Sequence, residues 1–230
     1  MSAAPNIDRT AAAAAATPLA PAVPNVTDLR FRALLGEEAW ARLPDPVRRR
    51  FSKRWNPGDM VVYQGRVVTT ELSRAGRILS FLTRAIGAPL PLTNAATGPS
   101  VVAVTENPTL GGQTWTRTYT RESNFPQVIH SVKRFSGPTG LEEYVGYGFG
   151  MTLRVTEENA ALVFRSERYF FELGRFRVGI PRFAEPGAME IVHRDEGGGE
   201  FSFRLTLKHP LLGRLLHQLA YFRAELESAS

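Results

Sequence analysis

From residue 28 onward, apolar side chains recur at three- and four-residue spacings: Phe31, Leu34, Leu35, then Ala39, Trp40 and Leu43, one face of a helix. Pro44 and Pro46 break that pattern. Asp45 as a cap and Pro46 at a first helical position start a short basic helix through Arg48, Arg49, Arg50 and Phe51. Met60 to Glu71 is rich in Val, Tyr and Thr and reads as the first long strand, with Gly65 marking a bulge or a close approach. A second amphipathic helix runs from Ser73, an N-cap, through Ile78, Leu79, Leu82 and Ile86 to Gly87.

The rest of the chain reads as β-sheet. Its strands are Val101 to Glu106, Gln113 to Thr120, Val128 to Phe135, Leu141 to Gly146 and Met151 to Glu157. Ala161 to Leu173, Arg175 to Val178, Ala188 to Asp195, Phe201 to Lys208 and Leu215 to Glu225 follow, with Gly, Pro and Asn turns between them. About ten strands joined by short turns predict a mainly β (α+β) fold, an antiparallel meander curled into a barrel or half-barrel with two N-terminal helices. One strand alternates cleanly, Phe201, Phe203, Leu205 and Leu207 facing one way and Ser202, Arg204, Thr206 and Lys208 the other.

Residues 1 to 25, rich in Ala and Pro, read as a disordered tail with a cytoplasmic address, because Asp8 and Arg9 precede an alanine run without the Leu-rich centre of an export signal. Residues 26 to 230 then form a single β-rich domain. The net charge of +6 comes mostly from scattered arginines, which does not make the concentrated basic face of a nucleic-acid binder. Cys is absent, which excludes disulfides and thiolate chemistry. No apolar run reaches the ~20 residues of a membrane-spanning helix. The four histidines, His130, His193, His209 and His217, lack metal-site spacing, so neither a metal nor a cofactor is expected.

Alternation puts Trp115, Arg117 and Tyr119 on one face of their strand. On other strands His130, Arg134, Glu143, Arg165, Tyr169 and His193 stand among apolar neighbours. A barrel interior holding Trp115, Arg117, Tyr119, Arg165 and Tyr169 suits an amphipathic ligand, with a guanidinium pairing an anionic head. The competing reading puts these arginines on the outer face, their stems covering apolar surface. For catalysis the candidates are His193 and His217 as bases with Asp195 or Glu143 as orienter, which requires a histidine and a carboxylate to converge. The run Gly146-Tyr147-Gly148-Phe149-Gly150 reads as a sheet corner or bulge, not a dinucleotide loop.

A family resemblance rests on Trp115 to Arg117, Glu143-Tyr144-Val145-Gly146 with Gly148 and Met151, and Phe164 to Gly174. Ile180-Pro181, Pro186-Gly187, His193-Arg194-Asp195 and His209-Pro210 through His217-Gln218 extend it. Together they resemble a bacterial domain of unknown function, numbered 4166, found alone or attached C-terminal to saccharopine-dehydrogenase-like reductases. The resemblance implies a nucleotide-dependent reductase as a partner and supplies no catalytic residues. Three readings follow: a barrel that binds a hydrophobic or lipid-like molecule as accessory to a separate reductase, an enzyme acting on such a ligand, and a non-catalytic protein-interaction domain. The first calls for a continuous apolar cavity of roughly 300 Å³ or more.

Overall fold

A computed structural model describes residues 26–87, 89–94, 97–120 and 125–224; the expected N-terminal tail over residues 1 to 25 lies outside them. The chain opens with β1 (Val26–Thr27), α1 (Arg30–Leu35), α2 (Glu37–Arg42), α3 (Asp45–Phe51) and β2 (Lys53–Arg54). It continues through β3 (Met60–Leu72) and α4 (Arg74–Leu82) into β4 (Gly98–Asn107), β5 (Gly112–Tyr119), β6 (Gln127–Arg134) and β7 (Glu142–Gly146). Then follow β8 (Phe149–Glu158), β9 (Ala161–Leu173), β10 (Phe176–Gly179), β11 (Ala188–Gly197), β12 (Glu200–His209) and β13 (Gly213–Ala224).

Ten of these strands close into an antiparallel barrel in the order β9, β11, β12, β13, β3, β4, β5, β6, β7, β8, with β8 returning to β9. Closure removes the exposed edges that an open sheet of this width would carry. The short β10 stays outside the ring, folded back on the end of β9 as a two-stranded arm. Gly65 is a close approach, since a Cβ there would run into the Tyr221 carbonyl, and the bulge of β3 falls two to three residues later, opposite Leu219 and Ala220.

The two ends of the barrel are closed differently. At one end α1 to α3 form a plug: Phe31 packs edge-on against Phe51, Phe135 and Phe164, and Phe51 against His193. The single helical periodicity over 28–43 is split into α1 and α2 at Gly36, whose φ of 78° ends the first helix. At the other end α4 lies across the mouth, capped by the Ser73 hydroxyl, which accepts from the Gly76 amide at 3.1 Å. Gly76 sits so close to the Leu215 backbone that any side chain there would push the helix off β13.

Candidate functional site

The interior is assembled by strand alternation, and its polar residues meet halfway up the barrel. On β5 Gln113, Trp115, Arg117 and Tyr119 point inward. Cross-strand pairing brings Ser131 opposite Trp115 and Glu143 opposite Lys133. Arg117 Nη1 donates to Ser131 Oγ at 3.1 Å, and Nη2 lies 3.7 Å from Glu143 Oε1. The buried Lys133 Nζ stands 3.2 Å from Glu143 Oε2, with the Trp115 and Phe164 rings at 5.3 and 5.7 Å. That approach makes an ion pair but is misdirected as a hydrogen bond, so Oε2 keeps an open acceptor position. The Trp115 Nε1 donor also has no partner among the described residues.

Burial pushes the Glu143 carboxyl up, but Lys133, Arg117 and the Ser131 hydroxyl outweigh it and hold the group below the usual carboxylate range. For Lys133 burial wins: the ammonium is pushed down from the ordinary lysine value although Glu143 pulls the other way. The cluster sets Lys133 and Arg117 against one carboxylate in the barrel interior.

Cavities lie on both sides of this cluster, with Arg117, Glu143 and Leu205 as a common wall. The larger, of about 260 Å³, is roofed by Leu79, Thr83 and Ile86, closed laterally by Ile180, Ala184 and Pro186, and floored by barrel residues such as Ile129, Met151 and Leu216. The smaller, of about 90 Å³, lies deeper, against Trp115, Tyr119, Phe164 and Phe203. The larger alone is a little under the ~300 Å³ of typical ligand sites, and the smaller is a separate space behind the shared wall.

Of the residues singled out for ligand contact, Trp115, Arg117 and Tyr119 line the small cavity, and Arg117 with Tyr169 lines the large one. The Tyr119 hydroxyl donates to Gln218 and the Tyr169 hydroxyl to the Gly187 carbonyl at 2.9 Å; burial pushes the Tyr169 hydroxyl up to about 12. Arg165 is a correction. It lies on the outer face, ion-paired with Glu158 and Glu190. One extra residue of β9 between Ser166 and Arg168 shifts the pairing with β8, so Tyr169 turns inward together with Ser166 and Phe164 while Arg165 turns outward. His130 and Arg134 are also outside, since β6 presents Ile129, Ser131 and Lys133 to the interior.

The four catalytic candidates do not converge. His217 faces outward beside Thr206, whose Oγ1 lies 3.3 Å from its Nδ1. Glu143 is engaged by Lys133 and Arg117. Asp195 faces inward next to the plug, with a buried Oδ1 that lacks a partner among the described residues. His193 is fully buried among Phe51, Phe201 and Phe203, and its Nε2 meets Arg50 Nη1 at 2.6 Å. Arg50 itself stacks over Phe201, so one of the three arginines of α3 packs into the plug. Among the described residues no group of three His, Asp or Glu is placed to hold a metal ion.

Burial, and then the Arg50 charge, lowers the His193 pKa well below its ordinary value, so the ring is neutral and Nε2 accepts from the guanidinium. In the unfolded chain the same ring takes a proton near pH ~6.5. Below that pH only the unfolded state is protonated, so acid favours unfolding: the His193 contribution is level above pH ~6.5 and falls by about 1.4 kcal/mol per unit beneath it. Urea titrations between pH 7.5 and 5.5 should show this slope, and His193→Gln, which keeps an acceptor for Arg50, should flatten it.

Lys133 is the member of the cluster not anticipated from the sequence. The signal was its i, i+2 spacing from Ser131 and Ile129, which assigns all three to one face. A family model described as a domain of unknown function (DUF4166) matches residues 43–222. Neither curated proteins nor solved structures give a match.

Proposed function

For a chain that belongs to the DUF4166 family, we propose that the barrel binds one small hydrophobic or amphipathic, lipid-like molecule. Its apolar part occupies the space under α4, and its polar end rests against Arg117 and Ser131. The observation that carries this reading is the cavity of about 260 Å³ between the barrel wall and α4, apolar on most sides and bounded at its inner end by Arg117, Ser131 and Glu143. An acidic head group fits best, because the inner end of this cavity carries the Arg117 guanidinium, which pairs carboxylate or phosphate oxygens well.

The resemblance seen in the sequence adds a partner to this proposal: the barrel presents its ligand to a nucleotide-dependent reductase on a separate chain. An enzymatic role for the barrel itself has less support, since its histidines are engaged elsewhere.

Native mass spectrometry of gently purified protein, followed by organic extraction, tests the proposal. A bound apolar molecule at near one-to-one stoichiometry is the expected result. A clean apo mass, together with no uptake of fluorescent fatty acids, removes it. In the same assay Leu79→Trp fills the space beneath α4 and should weaken uptake about tenfold or more, the loss expected when ligand volume is taken by a side chain.

A further inference from the structure

Large apolar side chains exposed to solvent are distributed unevenly over this barrel. Few lie at the plug end or on the wall; most crowd the end where the larger cavity is roofed by α4. On α4 itself Leu79 faces the cavity while Ile78, Phe81 and Leu82, each more than 60% exposed, face outward. Across the mouth the arm formed by β9 and β10 exposes Leu173, Phe176 and Val178. Beside the cavity-lining Ala184, Phe183 is 89% exposed, and the turn from β12 to β13 adds Leu211 and Leu212. Tyr147, exposed on the turn from β7 to β8, stands next to Gly87 at the end of the α4 segment. An apolar surface contributed by a helix, an arm and several turns marks an interaction site.

Arginines are interleaved with this rim. Arg74, Arg77 and Arg84 are exposed on the α4 segment, and Arg175 and Arg182 on the arm and the loop after it. None of the five has an ion-pair partner among the described residues, whereas Glu71, Glu172 and Glu185 at the same end are already paired with Arg214, Arg134 and Arg168. Two copies meeting end to end would set unpaired arginines against arginines. A layer of anionic head groups over hydrocarbon supplies counter-charges for the arginines and an apolar phase for the rings and aliphatic chains between them.

We propose that the α4 end of the barrel docks on the surface of an anionic lipid bilayer, bringing the cavity mouth against the membrane. The inference rests on the ligand-binding reading for its purpose, and its test is independent of it. The full chain is floated with vesicles of phosphatidylcholine alone, or of phosphatidylcholine with about a third phosphatidylglycerol, at low and at high salt. Strong flotation with the anionic vesicles, at least ~tenfold above the neutral ones and weakened by salt, is expected from arginines near a charged surface. The double variant Phe81→Glu with Phe176→Glu, both exposed positions, should reduce it about tenfold or more with an unchanged urea midpoint.

No flotation with either vesicle, equal flotation of the double variant, or a dimer that the double variant dissociates would each overturn the proposal. Flotation without any bound molecule by native mass spectrometry leaves docking standing and removes only the ligand reading; a bound molecule without flotation does the reverse.

Discussion

Replacing Glu143 by Leu is expected to cost about 3–5 kcal/mol of folding free energy at neutral pH, the range for breaking a buried ion pair from one side. The reason is local. Glu143 is the carboxylate facing both Lys133 and Arg117 in the barrel centre, and without it Lys133 is left between the Trp115 and Phe164 rings with no counter-charge among the described residues. The defect should be pH-dependent. Burial already lowers the Lys133 pKa, and loss of Glu143 lowers it further, whereas the unfolded chain keeps its lysine proton up to about pH 10.4. Between those values the unfolded state binds the extra proton, so the variant gains stability as pH rises.

Urea denaturation at pH 7 and pH 9 measures both effects. The double variant Glu143→Leu with Lys133→Met removes both charges and should recover most of the loss, because apolar replacements of a buried pair are often neutral or better. Equal damage in the single and double variants would show that the pair itself is not what the single substitution breaks.

Phe164→Ala is expected to be comparably severe, about 3–5 kcal/mol, through lost burial and the hole left behind. The ring is 1% exposed and stands where the plug meets the barrel, with the Phe31 and Phe51 centroids at 6.0 and 5.9 Å and the Lys133 ammonium on its other side. Its removal also merges with the smaller cavity, which it lines, so little collapse can recover the loss. Phe183→Ala, at an 89% exposed position, is the control and should move the denaturation midpoint by no more than ~0.5 kcal/mol.

The amino-acid sequence specifies most elements of this protein, the β1–β2 pair and the break at Gly36 excepted. Every strand expected from the turn residues is present with its ends displaced by no more than about three residues, because Gly, Pro and Asn act on the backbone locally and need no tertiary partner. It also determined the faces of strands that run without interruption: Trp115, Arg117 and Tyr119 on β5 and the Phe201 to Leu207 series on β12 are interior as alternation requires.

Register, closure and partnership depend on the folded chain. A single extra residue in β9 sends Arg165 outside and Tyr169 inside, and nothing in the side chains around position 167 announces it. The convergence of Lys133, Glu143 and Arg117 depends on the pairing of β5, β6 and β7 across residues distant in sequence, as does the meeting of Arg50 with His193 through a plug no local pattern describes. The two ends of the barrel became distinct only on closure, when α4 and the β9–β10 arm were brought round one mouth. Short-range sterics write the elements into the chain, while cavity, ion cluster and rim arise from long-range packing, in which one residue of register exchanges inside for outside.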